Sequence, residues 1–369
     1  MDDARSEPAL PGTAVVWSPD TLLHEPDAEI WLGVRTPGTE TKARVDAIRN
    51  RTEAAGARLI VAEEHDDDVL RRVHDDGLLD HLRSIWTDWE AAGLPDDPGQ
   101  NRVVPYVFPT AGMLGGLPAR VPVAVHARAG RYCYDTMTLV GPGTWEAARS
   151  AVDAALSAVD LVSANPQAGQ SALPLAYALC RPPGHHVSRD AFGGSCYLNN
   201  AAIAAQALRD AGHDRVAVVD VDAHHGNGTQ SLFYERADVF YGSLHVDPGA
   251  GWFPHYLGFR DEIGAGDGRG ANQNEPLAPG SDDSRWLAAL RRIVDSVAAF
   301  DASALVLSLG VDAAADDPES PLQVTASGYR RAGEMLATLG LPTVAVQEGG
   351  YHLPTLGSLV VHTLAGLSG

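Results

Sequence analysis

The sequence predicts an α/β protein built around one central, mostly parallel β-sheet with helices on both of its faces. Short apolar runs of strand length alternate with stretches whose apolar residues recur at helical spacing, which is the pattern of a parallel sheet buried on both sides. No internal repeat, low-complexity tract or linker divides the sequence. A single domain over residues 1–369 is therefore the simpler organisation.

Each element of this prediction rests on a local pattern. The segments predicted as strands are 57–62, 174–180, 215–222, 239–245, 304–310 and 342–348. Between them, residues 143–164 form a helix candidate that Thr144 can cap, and residues 199–212 form another that ends on Gly212 in the manner of a C-cap. Extended loops are predicted near residues 18–40, 95–131 and 246–284.

Bulk composition excludes several classes of function. The formal net charge of −21 at pH 7 opposes binding to nucleic acid or anionic membranes, because phosphates would repel the protein. No apolar run approaches the length of a membrane span and the N-terminal residues are polar, so a cytoplasmic protein is predicted. The three cysteines lack zinc-knuckle spacing and are predicted to be reduced thiols.

Polar side chains follow four predicted strands at their carboxyl ends, where ligands bind in open parallel sheets. In chain order they are His185 and His186, then Asp220, Asp222, His224 and His225, then Asp312, and finally Tyr351. Taken singly, each has a structural explanation, such as helix capping by Asp312 or core packing by Tyr351. Packing requirements alone do not explain why all of them lie at one edge of the sheet, so an active site is predicted there.

The residue types at this rim suit metal-assisted catalysis. Asp222 and His224 stand two residues apart on an extended segment and share a side, and Asp312 can approach from a neighbouring strand end. Two carboxylates and an imidazole suit zinc, although Fe²⁺, Co²⁺ or Mn²⁺ would also accept this oxygen-rich set. The adjacent histidine pair, on an irregular Pro-Pro-Gly backbone, then provides a general base and acid, and Tyr351 an oxyanion donor.

The motifs RPPGHH, GGSCYLNNAAIAA, VAVVDVDAHHGNGTQ, SLH, LSLGVDA and EGGY, in this order and spacing, resemble the histone deacetylase superfamily, whose fold is that of arginase. The stretches PGTWEAA, HHGNGTQSLFYERADVFYGSLHVDP and FPHYLGFRDE look like its bacterial acetylpolyamine amidohydrolase branch. The resemblance runs from about Trp17 to the C-terminus and implies about eight strands in the sheet.

This resemblance implies a role for each residue at the rim. The zinc ligands would be Asp222, His224 and Asp312. The catalytic residues would be His185, which pairs with Asp220, together with His186, Asn227 and Tyr351. A structural potassium ion would be held by Asp220, by the backbone oxygens of Asp222, His224 and Leu244, and by the hydroxyl of Ser243. We interpret His225 as a structural hydrogen-bonding residue behind the site.

The resemblance also implies a substrate pocket, formed by Gly194, Ser195, Phe253, His126 and Glu25. Phe253 matches one of two aromatic walls, but Ser195 occupies the place of the other, which predicts a wider or more polar channel on that side. His126 stands near the position where the branch carries an acid. Glu25, Asp27 or Glu29 could compensate for it, or the substrate is not cationic.

Residues 101–132 lack Asp and Glu but contain Arg102, Arg120, Arg128 and Arg131. Two interpretations stay open: these arginines contact the substrate, or they are solvated or pair with a partner subunit. A homodimer through the 95–131 loop is suggested by the resemblance alone.

The predicted function is a zinc-dependent amidohydrolase that removes an acetyl group from an N-acetylated amine. The substrate is expected to be a small molecule, such as an acetylpolyamine or a bulkier biosynthetic intermediate. A protein acetyl-lysine deacetylase would use the same chemistry and is the main alternative. A catalytically silent metal-binding or sensor protein is disfavoured, because binding alone requires neither an acid–base pair nor an oxyanion donor.

Overall fold

A computed structural model of the chain describes residues 8–163 and 172–369. Its strands are β1 (Ala14–Trp17), β2 (Glu29–Trp31), β3 (Val34–Thr36), β4 (Arg58–Val61), β5 (Leu175–Ala178), β6 (Val216–Asp220), β7 (Val239–Val246), β8 (Asn272–Leu277), β9 (Ala304–Leu309) and β10 (Thr343–Gln347). Eight of them form one sheet in the order β4-β1-β5-β10-β9-β6-β7-β8, and every neighbouring pair is parallel. Strands β2 and β3 form a separate antiparallel hairpin.

Helices cover both faces of the sheet. They are α1 (Ala43–Ala54), α2 (Asp68–Val73), α3 (Asp76–Ala91), α4 (Ala111–Leu114), α5 (Val125–Tyr132), α6 (Thr144–Val162), α7 (Asn200–Asp210), α8 (Asn227–Phe233), α9 (Asp283–Phe300), α10 (Ala326–Ala337) and α11 (Leu353–Leu367). Short 3₁₀ turns lie at Pro19–Leu22, Pro248–Ala250 and Gly266–Gly268. The predicted α/β class with a parallel sheet of eight strands is confirmed.

The sheet separates two apolar cores because successive strand residues point to opposite faces. In β6, Val216 and Val218 join the core formed with α3, α6 and α7. Their neighbours Ala217 and Val219 join the core formed with α1, α9, α10 and α11. Burial on both faces explains why β5, β6, β9 and β10 are apolar along most of their length rather than alternating.

Three predicted loops contain regular structure. The 246–284 segment includes β8, an edge strand with the polar sequence NQNEPL, which carries no apolar strand signal. The 18–40 segment contains the β2–β3 hairpin, and the 95–131 segment contains α4 and most of α5. The strand β1, second from one edge of the sheet, is not among the predicted strands, because four residues are too few for periodicity to identify.

Residues 1–7, part of the polar N-terminus, and Ala164, the last residue of one helix candidate, lie outside the described residues. Within residues 8–163 and 172–369, no helix is both long enough and apolar enough to cross a membrane. Cys133, Cys180 and Cys196 are free thiols, and all three are buried.

Candidate active site

The sheet order brings the predicted site residues to one place. Strands β5, β10, β9 and β6 are consecutive neighbours and parallel, so their carboxyl ends meet at one edge of the sheet. The segments that leave these ends carry His185 and His186 after β5, Tyr351 after β10, Asp312 after β9, and Asp222 and His224 after β6. Residues far apart in sequence therefore lie at one edge, because the strands that precede them are parallel neighbours in the sheet.

Asp222, His224 and Asp312 converge at this rim. One nitrogen or oxygen atom of each lies within 4.8 Å of the others. The Nδ1 atom of His224 is 2.9 Å from Asp312 Oδ2 and 3.2 Å from Asp222 Oδ1. Both carboxylates are buried, while His224 faces a cavity.

The backbone around the cluster holds the outer oxygen of each carboxylate. The Gly349 N–H donates to Asp222 Oδ2 at 2.8 Å, and the Ala223 N–H donates to Asp312 Oδ1 at 2.7 Å. A Cβ at Gly310 would collide with the Asp222 carboxylate, and one at Gly349 would lie 2.5 Å from Asp312 Oδ2. Glycine is required at both positions because the chain passes so close to the carboxylates.

This donor set fits a divalent transition metal. Burial, followed by the charge of Asp222, raises the pKa of Asp312 to about 7. The imidazole of His224 is buried, yet its hydrogen bonds to Asp222 and Asp312 hold its pKa well above the usual range. Two buried carboxylates that face one imidazole need a positive charge between them, and a cation with mixed oxygen and nitrogen ligands would supply it.

His186 lines the cavity as a neutral imidazole. Burial, followed by the charges of His185 and His224, lowers its pKa well below the usual range. Its Nδ1 atom lies 2.7 Å from the amide oxygen of Asn227. Because that oxygen can only accept, Nδ1 carries the proton and Nε2 keeps a lone pair, as a general base requires.

His185 lies behind His186 and does not line the cavity. The two ring centroids are 4.0 Å apart. His185 Nδ1 is 3.0 Å from Asp220 Oδ2, and its Nε2 is 3.9 Å from Asp222 Oδ1. Burial alone would lower its pKa, but the charges of Asp222 and Asp220 outweigh burial and raise the pKa to about 10. The pair therefore consists of one charged and one neutral imidazole.

Two side chains fix the loop that carries the histidine pair. The Glu348 carboxylate accepts hydrogen bonds from the N–H groups of Gly184 at 2.7 Å and His185 at 3.1 Å. On the other side of the loop, the Tyr134 hydroxyl donates to the carbonyl of His186 at 2.9 Å. These bonds satisfy backbone groups that an irregular buried segment would otherwise leave unpaired.

Tyr351 reaches the same cavity and is held from two sides. Its N–H donates to Asp317 Oδ2 at 2.7 Å, and the N–H of His352 donates to the same oxygen at 3.1 Å. The guanidinium of Arg44 lies 4.8 Å from the centre of the Tyr351 ring and donates to the Gly350 carbonyl at 2.7 Å. Burial raises the pKa of Tyr351 well above its usual range, so the phenol stays protonated as a donor.

Arg44 and Asp317 were missed at the level of sequence. Asp317 lies in an Asp-Pro turn a few residues after Asp312, and that turn signal could have marked it as a loop-fixing residue. Arg44 belongs to α1, far away in sequence, and nothing in the local pattern distinguishes it from a solvated helix residue. Its burial between Glu40 and the Gly350 carbonyl is visible only in three dimensions.

The cavity above the cluster has a volume of about 570 Å³. At its inner end lie His186, His224 and Tyr351. Its outer part is formed by residues of loops and of the β2–β3 hairpin, among them Glu29, Trp31, Leu32, His255 and Glu319. Trp31 and Leu32 are 56% and 80% exposed, so this part opens to solvent.

Three predicted pocket residues, Gly194, Ser195 and Phe253, form the walls between the two ends. The Phe253 ring meets His186 edge-on, with centroids 4.8 Å apart. Gly194 has a φ of +58°, and a Cβ there would collide with the His186 ring. Ser195 presents only a hydroxymethyl group, so no aromatic ring lines the cavity from that position, and Met137 is a further lining residue.

Two predicted pocket residues, Glu25 and His126, are not among the described residues that line the cavity. The Glu25 carboxylate turns away to pair with Lys42 at 3.0 Å. His126 is exposed on α5, where its ring lies 5.9 Å from that of Tyr106.

The acids that line the cavity are instead Glu29 and Glu319. Glu29 was one of three early acids considered from the sequence, and it starts strand β2, whose geometry turns it inward. Glu319 was not considered, although it lies on the same strand-end segment as Asp312.

The arginines of residues 101–132 do not line the cavity in the described part of the chain. Arg102 pairs with Asp27 at 2.7 Å, Arg131 pairs with Asp190 at 3.4 Å, and Arg128 pairs with Asp88. Three of the four thus neutralise acids of their own chain, an explanation that the sequence does not reveal. Arg120 is exposed.

Three predicted potassium ligands, Asp220, Ser243 and Leu244, lie on the neighbouring strands β6 and β7. Asp220 and Ser243 face each other in register on β6 and β7. The Asp220 carboxylate also accepts from the Tyr241 hydroxyl at 3.0 Å and from the Asp222 N–H at 3.2 Å. Leu244, the next residue along β7, is buried.

His225 is buried behind the site, as interpreted, with its Nε2 atom 3.0 Å from Gln230 Oε1. Burial, followed by the charge of His245, lowers its pKa well below the usual range.

Known proteins are similar to this chain in sequence and in fold. A family model described as the histone deacetylase domain matches residues 38–367. The chain is 40% identical over 356 residues to an acetylpolyamine amidohydrolase of Mycoplana ramosa, covering 96% of this chain and 99% of the relative. It is 40% identical over 359 residues to acetylpolyamine amidohydrolase 2 of Pseudomonas aeruginosa, covering 96% and 98%. A crystal structure of an acetylpolyamine aminohydrolase from Burkholderia pseudomallei matches with a TM-score of 0.88 at 38% identity, covering 97% and 99%.

Proposed function

The chain belongs to the histone deacetylase family, and from that premise we propose that it hydrolyses the amide bond of N-acetylated small-molecule amines. One observation carries the proposal. A neutral imidazole, His186, and a protonated phenol, Tyr351, face the same cavity as the three converging ligands Asp222, His224 and Asp312. A base, an oxyanion donor and a Lewis-acid site in one cavity are the parts that amide hydrolysis requires.

Zinc is the metal that we assign to Asp222, His224 and Asp312, although Fe²⁺, Co²⁺ or Mn²⁺ would find acceptable ligands there. When bound, such a metal supplies Lewis acidity that polarises an acyl carbonyl and makes water more acidic. The backbone N–H groups of Gly349 and Ala223 orient the two carboxylates before any ion arrives, so the ligand atoms need little rearrangement on binding.

His186 acts first as the base. Its Nε2 lone pair accepts a proton from the attacking water, while Asn227 holds the Nδ1 proton in place. The charged His185 behind it disfavours a second positive charge on His186, which keeps the imidazole neutral until the water is deprotonated. The negative charge of Asp220 balances the positive charge of His185. The base, His186, therefore packs against an ion pair without net charge.

Tyr351 and His186 complete the reaction. The Tyr351 hydroxyl donates a hydrogen bond to the acyl oxygen as negative charge develops there. The proton taken up by His186 then passes to the amine nitrogen as the carbon–nitrogen bond breaks. The products are acetate and a free amine, and both histidines return to their starting protonation states.

A small-molecule substrate is supported by the relatives and by the shape of the cavity. The relatives that match over nearly full length are named for acetylpolyamines. The β2–β3 hairpin places Trp31 and Leu32 at the opening, which restricts access for a protein side chain carried on a broad surface. Ser195 leaves room on one wall, which suits an amine bulkier than a polyamine, such as a biosynthetic intermediate.

A protein acetyl-lysine deacetylase is the second candidate. A protein named histone deacetylase 8 from Arabidopsis thaliana is 37% identical over 235 residues, which cover 62% of this chain. Three further assignments belong to the proposal: a structural potassium ion beside Asp220 and Ser243, a homodimer formed through the 95–131 loop, and a cytoplasmic location without nucleic-acid or membrane partners.

The test is hydrolysis of acetylputrescine, acetylspermidine, an acetyl-lysine peptide and a larger acetylated amine by the zinc-loaded protein. Acetate release is expected from the small amines, with loss of activity after chelation and recovery on adding zinc. Tyr351→Phe is expected to lower kcat by about 10² to 10³, the range for removing one oxyanion donor.

Tyr256→Phe is the matched control, because Tyr256 is 86% exposed and does not line the cavity. Hydrolysis of none of the four substrates by metal-loaded protein would overturn the proposed function. A Tyr351→Phe protein as active as the control would remove the phenol from the mechanism, and a preference for the peptide would favour the second candidate.

A further inference from the structure

His74 is a buried histidine outside the cavity. It follows helix α2, its exposed fraction is 0%, and it is not among the described residues that line the cavity. Its Nδ1 atom lies 2.9 Å from the carbonyl oxygen of Ser188, and its Nε2 atom lies 3.0 Å from the backbone nitrogen of Asn199. Because a carbonyl accepts and an N–H donates, the ring is neutral and carries its proton on Nδ1. Burial lowers the pKa of His74 to about 4, which favours this neutral form.

The two partners of His74 are the ends of one segment. Ser188 lies two residues after His186, in the loop that carries the histidine pair, and Asn199 is the N-cap of helix α7. The side chain of Asn199 also reaches back to this loop and donates to the Val187 carbonyl at 2.9 Å. A single imidazole therefore joins the two ends of residues 188–199, and the first of these ends lies next to the base.

Four consecutive carbonyl groups of this loop, from His185 to Ser188, are each held by a different donor. In chain order, the donors are the Thr229 N–H at 3.1 Å, the Tyr134 hydroxyl at 2.9 Å, the Asn199 amide at 2.9 Å and the His74 ring at 2.9 Å. The His74 ring cannot turn without losing both of its hydrogen bonds, so it fixes the last of these carbonyls in one direction. The peptide groups that follow the base therefore have little freedom to move.

The cavity wall in the middle of the segment is held by other side chains. The Gly194 N–H donates to Asp135 Oδ2 at 2.6 Å, and the Ser195 N–H donates to the Thr138 hydroxyl at 2.8 Å. Neither of these bonds involves His74. Loss of the His74 ring is thus expected to disturb the base more than the wall of the cavity.

We propose that His74 is a positioning residue for the reaction and that it acts through His186. By holding the Ser188 carbonyl and the Asn199 N–H together, it restrains the backbone on the C-terminal side of the base. The His186 imidazole thereby keeps its Nδ1 atom 2.7 Å from the amide oxygen of Asn227. The proposal rests on the proposed function for the chemical role of His186, but the position of the imidazole can be measured without turnover.

Three substitutions at position 74 separate the two hydrogen bonds. An asparagine amide nitrogen can take the place of Nδ1 and donate to Ser188, whereas a glutamine amide oxygen can take the place of Nε2 and accept from Asn199. His74→Asn therefore retains the bond nearer to the base, His74→Gln retains the farther one, and His74→Phe retains neither.

His81→Phe is the matched control. His81 is another buried histidine, 4% exposed, on the following helix α3, and neither of its ring nitrogens has a hydrogen-bond partner within residues 8–163 and 172–369. The same substitution at this position removes an imidazole of similar burial without removing a hydrogen bond. It therefore controls for the effect of an added buried phenylalanine on folding.

Steady-state kinetics of the zinc-loaded proteins with N-acetylputrescine give the first readout. We expect kcat to fall by about 10² in His74→Phe, by less in His74→Gln and least in His74→Asn, because a displaced catalytic group is costly, while KM changes by less than about threefold. The control should keep kcat within about threefold of the wild type. Zinc content and circular dichroism are measured for every variant, and if His74→Phe does not fold, the asparagine and glutamine variants carry the comparison.

The position of His186 is read directly from its Nδ1 proton by nuclear magnetic resonance of protein with isotope-labelled histidine. The resonance is assigned by its loss in His186→Ala. It is expected to shift or broaden in His74→Gln and His74→Phe and to stay unchanged in His81→Phe. An unchanged resonance in both variants at position 74 would overturn the proposal, even if the protein hydrolyses no acetylated amine. A wild-type kcat in both would also overturn it, while leaving the deacetylase function intact.

Discussion

The two ends of the cavity are built differently. At the inner end, the described polar groups are held by the protein: Asn227 orients His186, Gly349 orients Asp222, and Asp317 orients the backbone of Tyr351. At the outer part, Glu29 and Glu319 have no basic partner among residues 8–163 and 172–369, and Trp31 and Leu32 extend into solvent. The inner end is thus preorganised by the fold, whereas the outer part is less constrained by contacts within the protein.

One histidine from each end of the cavity, His186 and His255, provides the strongest test of this comparison. His186→Ala is expected to lower kcat by about 10² to 10⁴, the contribution of a positioned general base. His255→Ala removes an exposed imidazole from the same cavity and is expected to alter KM by less than about threefold. Steady-state kinetics on an acetylated amine, with metal content measured for both variants, would check this. A similar loss of kcat in the two variants would show that catalysis does not depend more on the inner end than on the outer part.

Gly194 and Gly251 test how tightly the inner end is constrained. Both glycines line the cavity with positive φ, at +58° and +90°, so alanine strains the backbone at each. Only at Gly194 would the new Cβ collide with His186, whereas at Gly251 nothing lies within 4 Å of it. Gly194→Ala is expected to lower kcat about a hundredfold more than Gly251→Ala, because a small displacement of a catalytic group is costly. Equal rates would show that His186 tolerates the displacement.

A substitution at Ser195 tests whether the small side chain on this wall of the cavity sets the width of the substrate. Ser195→Phe adds a second aromatic wall opposite Phe253, and it is expected to favour thin aliphatic acetamides over a bulky one by about tenfold in relative kcat/KM. Ser195 has a φ of +61°, so the variant is also expected to unfold at a slightly lower temperature. Competition assays with a linear and a branched acetamide would measure the change. An unchanged preference would indicate that this wall does not limit substrate width.

The smallest expected effect is a pH dependence at the outer part. Burial, followed by Glu319, raises the pKa of Glu29 to about 7; Asp135 and Glu40 also raise it, while a hydrogen bond from the Thr39 backbone lowers it. Below this pKa Glu29 is neutral, so its attraction for an ammonium appears only as pH rises. KM for N-acetylputrescine relative to N-pentylacetamide is expected to fall by about threefold across this transition.

The ratio is informative because groups at the inner end affect both substrates alike. Glu348, whose pKa burial raises to about 7, is one such group. A ratio independent of pH in the wild type, or one that still changes in Glu29→Gln, would contradict the assignment to Glu29.

The inner end was largely predictable from the sequence, and the reason is topological. His185, Asp222 and Asp312 each follow an apolar run, and parallel strands bring such positions to one edge whatever the loops do. These residues are expected to lie at the same edge of the sheet even when the order of the strands is unknown. The exact partners, such as Asn227 for His186, came from the resemblance to a known family.

The outer part was poorly predictable because loops and polar edges decide it. Glu25 and Glu29 lie four residues apart in a segment without clear periodicity, and only the β2 backbone shows which of them faces the cavity. Likewise, the edge strand β8 carries buried polar side chains, such as Asn272 and Asn274, that donate to Gln230 Oε1, so its sequence resembles a loop. The partners of Arg102 and Arg131 come from distant segments, and no local pattern encodes such pairs.

Asp317 anchors the main chain of Tyr351 with one oxygen and that of Glu319 with the other. Because both anchors are made to peptide groups, the identity of the side chain at position 319 is free to vary without disturbing the phenol. Substitutions at position 319 could therefore reshape the lining of the cavity while Tyr351 keeps its place.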